Sequence, residues 1–134
     1  MGRGHRTIPH TADIALEAWG DDREECLAEA VRALVGGFAD LGGATPDGEV
    51  EFEPGREDGP APLIALLEEV IYRVEVDGVL VVDVRPGPAG VLLLATVPVE
   101  GVEQVGAMPK AVTTHGMRFG PENGQWRAYA VVDV

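Results

Sequence analysis

Asn123-Gly124-Gln125-Trp126-Arg127-Ala128-Tyr129-Ala130-Val131-Val132-Asp133-Val134 is the stretch whose reading decides the fold. Asn-Gly is the preferred pair for a tight hairpin reversal, because both residues take up positive φ at low cost. The residues after it alternate. Trp126, Ala128, Ala130, Val132 and Val134 share an apolar face, and Gln125, Arg127, Tyr129, Val131 and Asp133 share the other, as in a half-buried strand. Residues 110–119 read as its antiparallel partner, joined through Gly120-Pro121-Glu122-Asn123-Gly124. Ala111, Thr113, His115, Met117 and Phe119 then lie on one side of that partner. Aligning the apolar faces predicts that His115 is a half-buried imidazole, and that Lys110 and Asp133 share a face.

Working outward, Ile14, Leu16 and Ala18 alternate with Ala15, Glu17 and Trp19, which predicts a strand starting just after Asp13 and ending at Gly20. Asp22 followed by Glu25 is a capping-box pattern, and Leu27, Val31, Leu34, Val35 and Phe38 recur at helical spacing, so a helix is predicted over about 22–38. Residues 49–53 alternate acidic with apolar side chains, as an exposed edge strand would. Pro62 opens a second helix whose apolar stripe is Leu63, Leu66, Leu67, Val70, Ile71 and Val74, closed by Gly78. Residues 79–84 and 91–99 read as paired central strands, apolar enough to predict burial on much of both faces. This order predicts one α/β (α+β) domain over residues 1–134, a sheet with two helices packed on one face.

The chain carries 23 acidic against 10 basic residues, a formal net charge of −13. That balance disfavours gripping phosphate over any sizeable surface, so no stable nucleic-acid binding of its own is expected, and it suits a partner with a basic surface. No apolar run approaches the roughly 20 residues of a membrane span, and no secretory pattern precedes the first strand. A soluble, cytoplasmic protein is expected. Cys26, the single cysteine, falls inside the first helix and reads as a half-buried structural thiol rather than a nucleophile.

No phosphate-binding loop, zinc-spaced cysteine pair or nucleophile elbow occurs, and there is no serine at all, which excludes a serine hydrolase. What remains sits at strand ends. Asp13 closes the cluster His10-Thr11-Ala12-Asp13, and Asp133 precedes Val134, whose carboxylate would add a third oxygen donor. Oxygen ligands of this kind suit a hard cation such as calcium or magnesium better than zinc. Solvated surface acids are the competing reading. His10 can orient the chain entering the strand or serve the site. Lys110 is either an ordinary edge lysine or a point charge placed against the carboxylates, a phosphate or a partner. His5 is expected to be inert near a mobile terminus.

Taken in order, His10-Thr11-Ala12-Asp13 with its strand, Gly20 and capped helix, then Lys110-Ala111-Val112-Thr113-Thr114-His115-Gly116, then Trp126 to Val134, resemble the blocks of the archease family. The resemblance spans nearly the whole chain. Thr114 stands where a tyrosine is common in the family, and the second helix lacks a tryptophan near Leu66. The resemblance implies two helices on a mostly antiparallel sheet and a protein that is not itself an enzyme. It implies a partner, the RtcB-type RNA-splicing ligase, whose metal-dependent guanylylation and multiple turnover archeases promote in tRNA splicing and RNA repair. It also implies a divalent metal, calcium first with magnesium or manganese as alternatives, at Asp13, Asp133 and Val134. Lys110 lies beside them, and His10 and His115 are candidates for partner contact. Two other readings of the residues are a small metal-dependent hydrolase with His10 or His115 as base, and a general chaperone or modulator of tRNA modification.

Overall fold

A computed structural model describes residues 2–9 and 13–134. Asn123 and Gly124 both have positive φ, 54° and 80°, and they turn β8 (Ala111–Glu122) tightly into β9 (Gln125–Asp133). β9 pairs on its other side with β2 (Asp13–Gly20), which pairs in turn with β1 (Gly4–Pro9), giving an all-antiparallel sheet of order β1-β2-β9-β8. Its inner face is built from Leu16, Ala18, Ala128, Ala130 and Val132, all buried.

β8 departs from simple alternation. Thr113 pairs with Val131 and Arg118 with Tyr129, so β8 spends five residues where β9 spends two. An odd number of extra residues reverses which side each later residue faces. Ala111 and Thr113 therefore share a face with Arg118, while Val112 is buried along with Met117 and Phe119. His115 falls inside the irregularity beside Gly116, whose φ is 75°, and is exposed. The predicted half-buried His115 is corrected accordingly.

Helix α1 (Arg23–Gly36) starts where predicted, with the Asp22 carboxylate accepting from the Glu25 N–H at 2.8 Å. Its buried stripe touches β1, β2 and β9 on one side and β5 and α2 on others. Helix α2 (Ala61–Tyr72) packs on α1 and β8, and continues as a single π-helical turn, Arg73–Asp77, up to Gly78. Of the predicted stripe, Leu63, Leu66, Leu67, Val70 and Ile71 are buried, and Val74 in the π turn is half-buried.

The remaining strands form two further ladders rather than joining one sheet. β4 (Gly48–Phe52), β6 (Leu92–Pro98) and β5 (Val79–Pro86) lie in the order β4-β6-β5, and β3 (Ala39–Asp40) pairs with β7 (Glu103–Gln104). β4 is the predicted edge strand. β5 is an edge as well, and the expected burial on both faces of β5 and β6 is corrected. Leu80, Val81, Val84, Leu92, Leu94 and Val97 are buried, whereas Asp83 and Arg85 are exposed and Leu93 and Ala95 only half-buried. A bulge between Val81 and Asp83 lets Val81 and Val84, three positions apart, face the same buried side opposite Thr96 and Leu94. All pairings are antiparallel, the class is α+β, and one buried cluster draws on both helices and both larger sheets.

Candidate functional site

β2 and β9 run antiparallel, so the start of one meets the end of the other. Asp13 and Asp133 are direct cross-strand partners. Residues so paired project from the same face, with Cβ atoms roughly 4.5–5.5 Å apart. Asp13 is half-buried and Asp133 exposed. Two like charges directly opposite destabilise a sheet, and among the described residues no Lys, Arg or His forms an ion pair with either. A cation held between these two carboxylates would relieve that repulsion.

β8 approaches from the other side of β9. Ala111 is opposite Asp133, and the Lys110 N–H donates to the Asp133 carbonyl at 2.8 Å. Lys110 is exposed and follows the buried Pro109. The predicted shared face for Lys110 and Asp133 does not follow from this register, because Ala111 occupies the opposing position and Lys110 lies one residue beyond it. Asp13, Asp133, Val134 and Lys110 are thus gathered at one end of the sheet. His115 lies in the segment between Thr113 and Arg118 that has no cross-strand partner on β9, and the register does not bring it to these residues. His10 lies outside the described residues. No group of three or more His, Cys, Asp or Glu side chains with metal-binding geometry occurs among the described residues, so a cation here would take two carboxylates, a main-chain oxygen of Val134, and water or partner atoms.

Sequence reasoning missed a second cluster at the opposite end of β1. Glu29, buried on α1, accepts from Arg3 Nε at 2.5 Å and Arg32 Nη1 at 3.0 Å, and its Oε1 lies 2.7 Å from His5 Nδ1. An ionised carboxylate only accepts, so that imidazole nitrogen carries the proton. His5 is therefore part of a paired strand tied to α1, which corrects its expected place at a mobile terminus. The signal available was faint: β-branched Thr7 and Ile8 after a glycine-rich start. Burial by itself would raise the Glu29 pKa, but hydrogen bonds from His5 and Arg3 and the charges of Arg32 and Arg3 outweigh it and hold it below the ordinary 4.5. A carboxyl depressed in the folded state stabilises above its unfolded pKa and loses that contribution as pH falls through the folded value. Glu29→Gln is expected to lower the thermal midpoint at pH 7. The gap from the unsubstituted chain should narrow as the pH falls below about 4.5, as melts across pH 3–7 would show.

Cys26 is fully buried with Sγ 3.7 Å from the Ala18 carbonyl, and burial pushes its thiol up to about 12. It is a core residue.

The model of the Archease protein family (MTH1598/TM1083) matches residues 5–134. The chain belongs to the archease family. Among curated relatives of this archease chain, the probable archease of Mycobacterium tuberculosis (strain H37Rv) is 38% identical, over 98% of this chain and 75% of its own length. The archease of Methanopyrus kandleri is 35% identical over 95% and 96%. The solution structure of Methanobacterium thermoautotrophicum protein 1598 superposes with a TM-score of 0.75 at 25% identity, over 98% of this chain and 99% of that one. A Thermotoga maritima archease, described as a possible chaperone, shares the fold with a TM-score of 0.70 at 24% identity, over 95% and 94%. No described helix is long and apolar enough to cross a membrane.

Proposed function

We propose that this archease is a non-catalytic protein cofactor, acting as one unit in the cytoplasm, that activates an RtcB-type RNA ligase and promotes its guanylylation and multiple turnover in tRNA splicing and RNA repair. The observation that carries the reading is the direct pairing of Asp13 with Asp133. It brings two carboxylates from opposite ends of the chain to one accessible sheet end, where hard oxygen donors suit calcium, magnesium or manganese.

Asp13 and Asp133 would hold the cation with Val134. A bound divalent cation would supply charge neutralisation for a triphosphate in the partner's nucleotide site. Lys110, exposed and with its backbone N–H on the Asp133 carbonyl, would supply a positive charge at the same end of the sheet for a phosphate or an acidic partner side chain. The net charge of −13 raises the encounter rate with a basic nucleotide pocket. Of the larger described clefts, one is lined by Arg118 and Tyr129 and another by Arg85 and Leu93, and neither includes Asp13 or Asp133.

The test is multiple-turnover ligation by the cognate ligase with and without this chain. Acceleration beyond the first turnover is expected. Equal rates would sink the proposal, turnover by this chain alone would favour a hydrolase, and capture of many unrelated clients would favour a general chaperone or a modulator of tRNA modification.

A further inference from the structure

The outer face of the β1-β2-β9-β8 sheet changes character along its length. At one end stand Asp13 and Asp133. At the other, the register aligns Gly4, Trp19, Arg127 and Gly120 in one row and Arg6, Glu17, Tyr129 and Arg118 in the next. Three of the ten Lys and Arg residues of this acidic chain fall in these two rows, a concentration that a merely soluble surface does not require. Each guanidinium lies over an aromatic ring. Arg6 is 5.4 Å and Arg127 5.9 Å from the Trp19 centroid, and Arg118 is 5.1 Å from that of Tyr129. The indole lies close against β1, where a Cβ on Gly4 would come within 2.6 Å of it, so the missing side chain is what admits the ring. An open groove of about 540 Å³ borders this end of the sheet, lined by Arg118, Arg127 and Tyr129 together with Glu17, Pro121 and Glu122.

We propose that this end of the face binds a short run of single-stranded nucleic acid. Guanidinium groups meet phosphates, and bases stack on Trp19, Tyr129 and the guanidinium planes, the combination by which other sheet surfaces hold unpaired strands. An acidic peptide would satisfy the arginines and leave the rings without a matching partner. Glu17, with its carboxylate 3.8 Å from Arg6 Nε, offsets one of the three charges. The net charge of −13 opposes any long phosphate tract, so the site spans a few nucleotides and binds weakly, at low ionic strength. This inference goes beyond the activator reading and does not depend on it.

The experiment is fluorescence anisotropy of labelled eight-nucleotide single-stranded RNA and DNA, and of the matching duplex, titrated with the full chain. Saturable binding to the single strands is expected. Its log–log salt slope should be about −1.4, from two net charges at ~0.7 each. Arg118→Glu with Arg127→Glu should weaken it by about tenfold or more, Trp19→Ala should also weaken it by roughly tenfold, and Glu17→Gln should strengthen it. Asp133→Asn should not weaken it, which separates this site from the carboxylate pair. The proposal is overturned by absent binding at low salt, by equal affinity for the duplex, or by double-variant binding equal to that of the unsubstituted chain when circular dichroism shows the variant folded.

Discussion

Asp133→Asn is expected to abolish the ligase stimulation proposed for this protein while making the metal-free chain more stable. The two effects have opposite sign because one geometry produces both. Asp13 and Asp133 face each other directly across β2 and β9, and like charges in that position cost roughly 0.2–1 kcal/mol. Removing one charge should therefore raise the thermal midpoint by roughly 1–4 °C. The same change removes an oxygen donor, and cation affinity should fall by more than the roughly 10–100-fold that follows loss of a supporting partner. Thermal melts with and without millimolar calcium or magnesium separate the two. The unsubstituted chain should gain stability from the cation, and the variant should not. Asp13→Asn should behave alike. A variant that keeps its cation-dependent rise would place the donors elsewhere, and full stimulation by both variants would refute the activating role proposed for this pair.

Leu16→Ala is expected to be the most damaging single change behind the site. Leu16 is fully buried on the inner face of β2, opposite Ala130 on β9 and Thr7 on β1, with Ala18 and Ala128 beyond. α1 packs on β2 and carries buried alanines of its own, Ala30 and Ala33 among them. Alanine-rich surfaces let the helix sit close, and a large side chain among them fills space that no neighbour can reach into. A Leu→Ala change in such a place belongs in the upper part of the roughly 2–5 kcal/mol range, which lowers the midpoint by roughly 10–18 °C. Leu16→Met nearly conserves volume and should cost less than about 1.5 kcal/mol. Chemical denaturation of the two variants decides the matter. A cost below 1 kcal/mol for Leu16→Ala would mean that the layer can collapse onto the gap.

Much of the fold was legible because its signals are local. Asp22 and Glu25 announced the start of α1, Pro62 and Gly78 bounded α2 and its final π turn, and Asn123-Gly124 announced the β8–β9 hairpin. Each rests on dihedral preferences or on hydrogen bonds that span a few residues. β1, and with it the bonds from Arg3 and His5 to Glu29, was not legible, because strand pairing rather than composition orders those residues. Of the candidate site, the chemistry of Asp13 and Asp133 could be read from residue type and from their place at strand ends. Their meeting could not, since 120 positions separate them.

His115 shows the limit most clearly. Period-two counting puts it on the apolar side of β8, and it would be there if the strand were regular. Three extra residues between Thr113 and Arg118 reverse the parity and leave it exposed. Nothing local announces that reversal except Gly116, whose φ of 75° suits the distortion.

By itself, then, the sequence determined the place of both helices and of strands β2, β4, β5, β6, β8 and β9, which residues are apolar enough to be buried, and the α+β class. Those follow from short-range sterics and from periodicity along the chain. Only the tertiary structure decided that β2 lies against β9, that the strands divide into separate ladders, and that Asp13 and Asp133 share one face while arginines and aromatic rings gather at its other end. Strand neighbours and register are chosen by contacts between distant segments competing for the same core, and hydrophobic alternation carries no label saying which strand is to be met.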